Sequence, residues 1–210
     1  MARLTVTFDG RSEVGGSPLL CHNERLADPL DPITMEIGKL SAQRKKTEAI
    51  HLEIARLEFV GGLYLDDDGD IVVPSWNVVR CIQSGATRFK LGKDIVRALI
   101  PVTQFTPIVY DGPRDIETMW NDGRFALRKG VGISGRRIIR TRPAFTDWKV
   151  VTELELDLDI MTPEKVDQCA KSAGKFEGFG DNRPSNGRFL GSAVLAAAAK
   201  TAKKKEEVTA

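Results

Sequence analysis

The chain has 210 residues, 41% of them hydrophobic, which is enough to bury one sizeable core. Its 31 basic and 29 acidic residues nearly cancel, so the overall charge excludes neither nucleic acid nor protein as a partner. No apolar leader follows the first methionine and no apolar run is long enough to cross a bilayer, so we expect a cytoplasmic protein with no membrane association. Its three cysteines stand far apart without a C-x-x-C pair, and we therefore expect neither a disulfide framework nor a zinc site.

The first elements predicted are a strand and a long helix. Residues 4–8 and 17–21 alternate or run apolar over strand lengths, which predicts an N-terminal strand or hairpin. Between residues 33 and 59 apolar side chains recur at helical spacing, with charged residues between them. This pattern predicts a long amphipathic helix with a break near Lys46.

The middle of the chain predicts a hairpin, a helix and more strand. Residues 61–65 and 71–73 flank an Asp-Gly turn, which is a strong hairpin signal. A helix is expected to begin at Pro74–Ser75, with Ser75 as its N-cap and Trp76 on its buried face. Two β-rich runs follow, at residues 95–102 and 107–110.

The last third predicts most of the sheet. Residues 126–159 read as its principal antiparallel pair, because apolar residues alternate with polar ones from Trp148 onward. A helix with proline at its first position is predicted at residues 163–173. The glycine-rich segment 174–187 reads as a loop, and a final strand is predicted at residues 188–191.

These elements predict an α+β fold in one domain. We expect residues 1–195 to form that domain and residues 196–210 to form an Ala/Lys-rich tail.

A basic segment is the first candidate binding site. Residues 126–149 contain seven basic residues and one acidic residue. On a regular strand three of the arginines share one face, at a spacing suited to phosphates. The candidate phosphate ligands here are Arg136, Arg137, Arg140 and Arg142. The alternative is that Glu153, Glu155, Asp157 and Asp159, on the next strand, neutralise them across the sheet.

The glycine-rich loop is the second candidate site. Its glycines would let backbone N–H groups approach a phosphate, with Gly180 as the example, and Arg183 and Arg188 would neutralise that phosphate. Phe179 would stack on a base. The alternative is a helix C-cap followed by a wide connection to the last strand, although fourteen residues is long for a connection.

Signals for catalysis are weak. The only histidines, His22 and His51, fit neither a catalytic triad nor a His-Glu-x-x-His site. Three aspartates resemble the start of a calcium loop: Asp66, Asp68 and Asp70. The position that needs a bidentate glutamate is Asn77, so a plain turn is favoured. We expect no enzyme, no metal and no cofactor, and a metal-dependent nuclease using these aspartates is the least favoured alternative.

The order of these elements resembles the RAMP superfamily. The resemblance lies in the helix starting at Pro74–Ser75, the helix at 163–173, and the run Gly-Phe-Gly-Asp-Asn-Arg-Pro-Ser-Asn-Gly-Arg-Phe at 178–189 before the last strand. These RRM-like proteins include guide-RNA-binding backbone subunits of CRISPR effector complexes. Residues 19–32 also look like bacteriophage proteins of this length.

The resemblance implies an RRM/ferredoxin-like antiparallel sheet with two packing helices, single-stranded nucleic acid along a basic face, and side-by-side homo-oligomers. The helix at 33–59 departs from the family as an insertion. No histidine stands where processing relatives keep a catalytic one, which implies binding without cleavage.

The leading hypothesis is therefore a non-catalytic, phage-type protein that coats or bridges single-stranded DNA or RNA as an oligomer in the host cytoplasm. The alternative is a protein–protein module, such as an inhibitor of a host complex or an assembly factor, whose contact surface is the helix at 33–59.

Overall fold

The computed structural model of the protein describes residues 1–133 and 135–196, with the side chains of Val131, Ile133 and Arg136 outside the description. Nearly all of the predicted tail at 196–210 thus falls outside the described residues. The described strands are β1 (Ala2–Asp9), β2 (Leu19–Leu20), β3 (Tyr64–Leu65), β4 (Ile71–Pro74), β5 (Leu99–Pro101), β6 (Phe105–Val109), β7 (Ala126–Ile133), β8 (Arg136–Phe145), β9 (Lys149–Leu156) and β10 (Leu190–Leu195). The described α-helices are α1 (Pro32–Ala42), α2 (Glu48–Gly62), α3 (Ser75–Ala86), α4 (Gly92–Ala98), α5 (Ile116–Asp122) and α6 (Pro163–Ser172).

Two antiparallel sheets organise these elements into the expected α+β fold. The larger has seven strands in the order β10-β1-β9-β6-β4-β3, with β5 also pairing with β9. The smaller has three strands in the order β2-β8-β7. The helices α3 and α6 pack together in the core that covers the larger sheet.

Alternation along the strands creates that core. Leu4, Val6 and Phe8 of β1 are buried together with alternate residues of β9, while the residues between them lie on the opposite face. Gly85 lets α3 approach α6 closely, because a Cβ there would lie 2.5 Å from the backbone nitrogen of Ala173. The three cysteines are buried, where they act as small hydrophobic side chains.

Several element predictions are confirmed. The amphipathic segment at 33–59 is two helices, α1 and α2, and the chain breaks around Lys46 before Thr47 caps α2. The hairpin of β3 and β4 and the helix α6 lie where the sequence placed them.

Two local predictions are wrong, and one is confirmed in part. The predicted N-terminal strand is β1, but residues 4–8 and 17–21 do not pair as a hairpin, because β1 pairs in the larger sheet and β2 in the smaller one. Residues 92–98 are the helix α4, whose buried Ile95 and Ala98 stand at helical spacing, and only residues 99–101 of that run are strand. Ser75 does not cap α3, since its hydroxyl lies 2.8 Å from the Thr106 Oγ1 in the core.

The prediction that residues 126–159 pair with one another in a single sheet is wrong for β9. β8 pairs with β7 and β2, whereas β9 lies between β1 and the strands β5 and β6. The chain changes sheets at Asp147, which has a φ of 50° and accepts the backbone N–H and hydroxyl of Ser12, each at 2.7 Å. The acids of β9 therefore do not stand opposite the arginines of β8.

Candidate functional site

The glycine-rich loop is docked onto the small sheet. After α6 the chain makes a π-helical turn (Ala173–Glu177) and then folds back on itself. The N–H of Asp181 donates to the Leu20 carbonyl and that of Gly187 to the Pro18 carbonyl, both at 2.8 Å. The segment is thus an ordered part of the fold as well as a connection between α6 and β10.

Side chains fasten the loop to the hairpin of β7 and β8. Arg142 Nε donates to Asp181 Oδ2 at 2.8 Å, and Lys129 Nζ donates to Asn186 Oδ1 at 3.0 Å. Burial alone would raise the pKa of the Asp181 carboxyl, but the hydrogen bonds from Arg142 and from the backbone of Asn182 bring this pKa below its ordinary value. Asp181 therefore stays ionised at neutral pH and holds Arg142.

The basic strand does not present a row of unpaired guanidinium groups. Arg142 is paired with Asp181, and Arg140 with Glu58 of α2. Arg137 is exposed beside the N-terminal half of α2, away from the loop, and the side chain of Arg136 lies outside the described residues. The prediction that the acids of β9 neutralise these arginines is wrong, because α2 and the loop supply the carboxylates that pair with Arg140 and Arg142.

The contribution of Glu58 to the contact between α2 and β8 can be measured as a change in the free energy of unfolding. Its carboxylate is buried, with 4% of the residue exposed, and accepts the Thr141 N–H at 2.7 Å as well as the Arg140 guanidinium. We expect Glu58→Gln to lower the free energy of unfolding by about 1.5–3 kcal/mol, because a charged hydrogen-bond acceptor is lost. Denaturant unfolding measures this, with the exposed Glu53→Gln on the same helix as control; equal small losses would contradict a structural role for Glu58.

Phe179 and Gly180 have structural roles in the loop. Phe179 is 3% exposed, and its ring centroid lies 5.4 Å from that of Phe8 and 6.0 Å from that of Trp148. The ring of Phe179, predicted to stack on a base, is held in the core, where it anchors the loop. Gly180 has a φ of 83°, and a Cβ there would clash with the Leu20 carbonyl.

The two loop arginines differ in their surroundings. Arg188 is exposed, and its backbone N–H donates to the Ser17 hydroxyl at 2.8 Å, away from any described cavity wall. Arg183 instead lies at the mouth of a cavity of about 260 Å³. The walls of this cavity come from β2, β3, β4, α3 and the loop: Leu19, Leu20, Cys21, His22, Tyr64, Val73, Asn77, Arg80, Cys81, Ser84, Phe179, Gly180, Asp181 and Arg183.

Two guanidinium groups dominate this cavity. Arg80 of α3 and Arg183 of the loop are both exposed, and neither lies within ion-pair distance of an acid in the part of the chain described. The hydrogen bond that Arg80 makes is to the neutral Gln83, at 2.9 Å. Uncompensated arginines facing one cavity favour an anionic ligand.

The cavity shares wall residues with two neighbouring depressions. His22 also lines a depression of about 410 Å³ between α1 and the strand β8, where Arg140 and Arg142 lie. Arg183 also lines a depression of about 430 Å³ on the outer side of the loop, next to Phe176. We call the surface formed by these three adjoining cavities, from Phe176 past Arg183, Arg80 and His22 to Arg142 and Arg140, the loop groove.

His22 is a neutral member of the groove at pH 7. Partial desolvation by the surrounding groove, and secondly the nearby guanidinium of Arg142, lower the pKa of His22 below its ordinary value of 6.5, although the residue as a whole is exposed. Its imidazole can therefore donate or accept a hydrogen bond at neutral pH without adding charge.

Arg80 and His22 are groove residues that the sequence did not single out. Arg80 follows Trp76 by one helical turn, and Trp76, predicted to be buried, is 46% exposed. The buried stripe of α3 runs instead through Val78, Val79 and Ile82. A polar stripe carrying an exposed tryptophan and an arginine was the available signal, whereas nothing local marks His22.

The aspartate cluster at 66–70 is a turn. Asp66 Oδ1 accepts the N–H groups of Asp68 at 3.1 Å and of Asp70 at 2.8 Å, which closes the hairpin between β3 and β4. Within residues 1–133 and 135–196 no three His, Cys, Asp or Glu side chains are grouped so that they could hold a metal ion.

Comparison with known proteins does not assign the chain to a family. No family model matches it, and no curated protein matches it. Among the helices that the structure describes, none has the length and apolar character needed to cross a bilayer. The loop groove itself is therefore the basis for inferring a function.

Proposed function

We propose that the protein binds single-stranded nucleic acid in the loop groove without cleaving it, and that several copies lie side by side along one strand. The observation that carries this proposal is the convergence of Arg80 and Arg183, both without acid partners in the described chain, on one cavity. Phosphates are the anions that a strand presents in series, and paired guanidinium groups suit them in geometry and charge.

An exposed aromatic side chain supports the proposal. Phe176, at the outer end of the loop groove, is 41% exposed, and the Arg88 guanidinium lies 3.7 Å from its ring centroid. An aromatic ring next to a cation can stack on a base while the arginine neutralises the adjoining phosphate. The stacking role expected of the loop thus passes from Phe179 to Phe176.

The topology also supports an RRM-like core. In chain order β1, α3, β6, β9, α6 and β10 give strand, helix, strand, strand, helix, strand, which is the ferredoxin-like sequence of elements. Within the larger sheet these four strands are neighbours in the order β10-β1-β9-β6, all antiparallel. We infer that the small sheet and the helices α1 and α2 are additions to this core.

Binding to defined oligonucleotides tests the proposal. Fluorescence anisotropy on single-stranded DNA, single-stranded RNA and duplex of one length should show a preference for a single strand. The logarithm of the affinity should fall with that of the salt concentration by about 0.7 per phosphate contacted. Incubation with magnesium should leave the oligonucleotides intact. A salt-independent affinity, or cleavage products, would contradict the proposal.

A surface on α1, α2 and β8 supports one alternative function, a protein–protein module. The exposed apolar side chains of Met35 on α1, Leu52 on α2 and Ile139 on β8 are suited to contact with a protein partner. If the protein binds none of the three oligonucleotides but forms a stable complex with another protein that depends on Leu52 and Ile139, this alternative replaces the proposed function.

A further inference from the structure

We infer that the 260 Å³ cavity at the centre of the loop groove is a nucleoside-phosphate pocket that holds one nucleotide, with its phosphate at Arg80 and Arg183 and its base inside. This inference rests on the proposed function for the identity of the occupant, one nucleotide of the bound strand. The volume of the cavity is slightly below the roughly 300–1,000 Å³ of small-molecule sites. It therefore suits one nucleotide and no longer segment of a strand.

The walls of the cavity match a base in polarity. Leu19, Val73 and Phe179 provide apolar surface deep in the fold. Burial raises the pKa of the Cys21 and Cys81 thiols to about 12, so both are uncharged at physiological pH and add to the apolar wall. Transfer of a flat, weakly polar group from water to such a site lowers the free energy.

The rim of the cavity carries both donors and acceptors. Asn77 offers an amide, Asp181 a carboxylate and His22 a neutral imidazole, all lining the same cavity. The edge of a base needs such a mixture, because each base presents both donors and acceptors. Within the described residues the His22 ring makes no hydrogen bond, so it remains available to a ligand.

The cationic entrance places the phosphate outside the apolar wall. Arg80 projects from α3 and Arg183 from the loop, and both are exposed while the residues beneath them are buried. A base can therefore enter the cavity while its phosphate stays hydrated at the arginines. A strand lying in the groove would turn one base inward at this point.

An abasic oligonucleotide tests whether a base occupies the cavity. Oligothymidylate, or oligouridylate if RNA binds better, is compared with an oligonucleotide of equal length that keeps every phosphate but lacks the bases. We expect the abasic strand to bind at least about tenfold more weakly, the lower end of what base stacking contributes. Equal affinities would refute the pocket and the stacking on Phe176, while leaving binding of the strand through its phosphates intact.

A blocking variant locates that effect in the cavity. In a Phe176→Ala background, which lacks the exposed stacking ring, Asn77→Phe at an exposed rim position should fill the entrance and make the two oligonucleotides bind equally, whereas Asn121→Phe, at an exposed amide on α5, should not. If the folded Phe176→Ala, Asn77→Phe protein still prefers the strand with bases, the base lies elsewhere and the pocket is wrong. For the wild-type protein, 2-aminopurine at successive positions should brighten at one or more positions on binding; no brightening at any position would contradict the inference.

Titration with a free nucleotide distinguishes whether the pocket takes a nucleotide of a bound strand or a free nucleotide. If no oligonucleotide binds, the proposed function fails, and calorimetry with thymidine 5′-monophosphate then tests the pocket directly. Binding that is lost in Asn77→Phe but kept in Asn121→Phe would support a pocket for free nucleotides. Absence of binding would refute the pocket together with the function.

Discussion

Reversing the charge of Arg80 and Arg183 together is expected to weaken binding of single-stranded nucleic acid at least about a hundredfold at 0.1 M salt. Each reversal removes a charge-assisted hydrogen bond, worth roughly 1.5–3 kcal/mol, and adds repulsion of a phosphate. Each factor of ten in affinity corresponds to about 1.4 kcal/mol, so two lost contacts suffice for this change. Anisotropy titrations of Arg80→Glu with Arg183→Glu measure it.

The matched control changes the net charge equally at a distance. Arg3 lies on β1 and Arg97 on α4, both are exposed, and neither lines the loop groove. The pair Arg3→Glu with Arg97→Glu should weaken binding only by the general loss of positive charge, within about threefold, because the salt screens charges beyond about 10 Å. Equal losses in both pairs would mean that binding follows the overall charge and would remove the groove from the proposal.

Replacing Phe179 with alanine is expected to lower the free energy of unfolding by about 3–5 kcal/mol, the usual cost of removing a buried phenylalanine ring. The ring packs edge-on against Phe8 and tilted against Trp148, so its removal leaves a cavity where the loop meets the larger sheet. Chemical denaturation measures the loss.

Phe176→Ala in the same loop is the matched control and should behave in the opposite way. Its ring is exposed, so unfolding should change by less than about 1 kcal/mol, the value of the lost contact with Arg88. Its loss should weaken binding by the roughly 1–3 kcal/mol that one stacked base contributes. A stable Phe179→Ala with impaired binding would instead restore the stacking role predicted for Phe179.

Local patterns in the sequence were sufficient for most elements and for the α+β class. Alternation marks β9 from Val150 to Leu156, and helical spacing with a proline at the first position marks α6. The run at 95–102 was misread because a short apolar segment fits a strand as well as a helix, and packing against α3 decided it.

For the candidate site, the sequence by itself singled out Arg183 and the glycine-rich loop, because the segment is long for a connection and combines glycines with arginines. The tertiary structure alone decided which cations are paired: Glu58 and Asp181 reach Arg140 and Arg142 from positions 82 and 39 residues away in the chain. It also decided that Phe179 faces the core while Phe176 faces solvent, and it brought His22 and Arg80 to one cavity. Charge and composition are local properties of a segment, whereas burial and ion pairing depend on which distant segments the fold places against it.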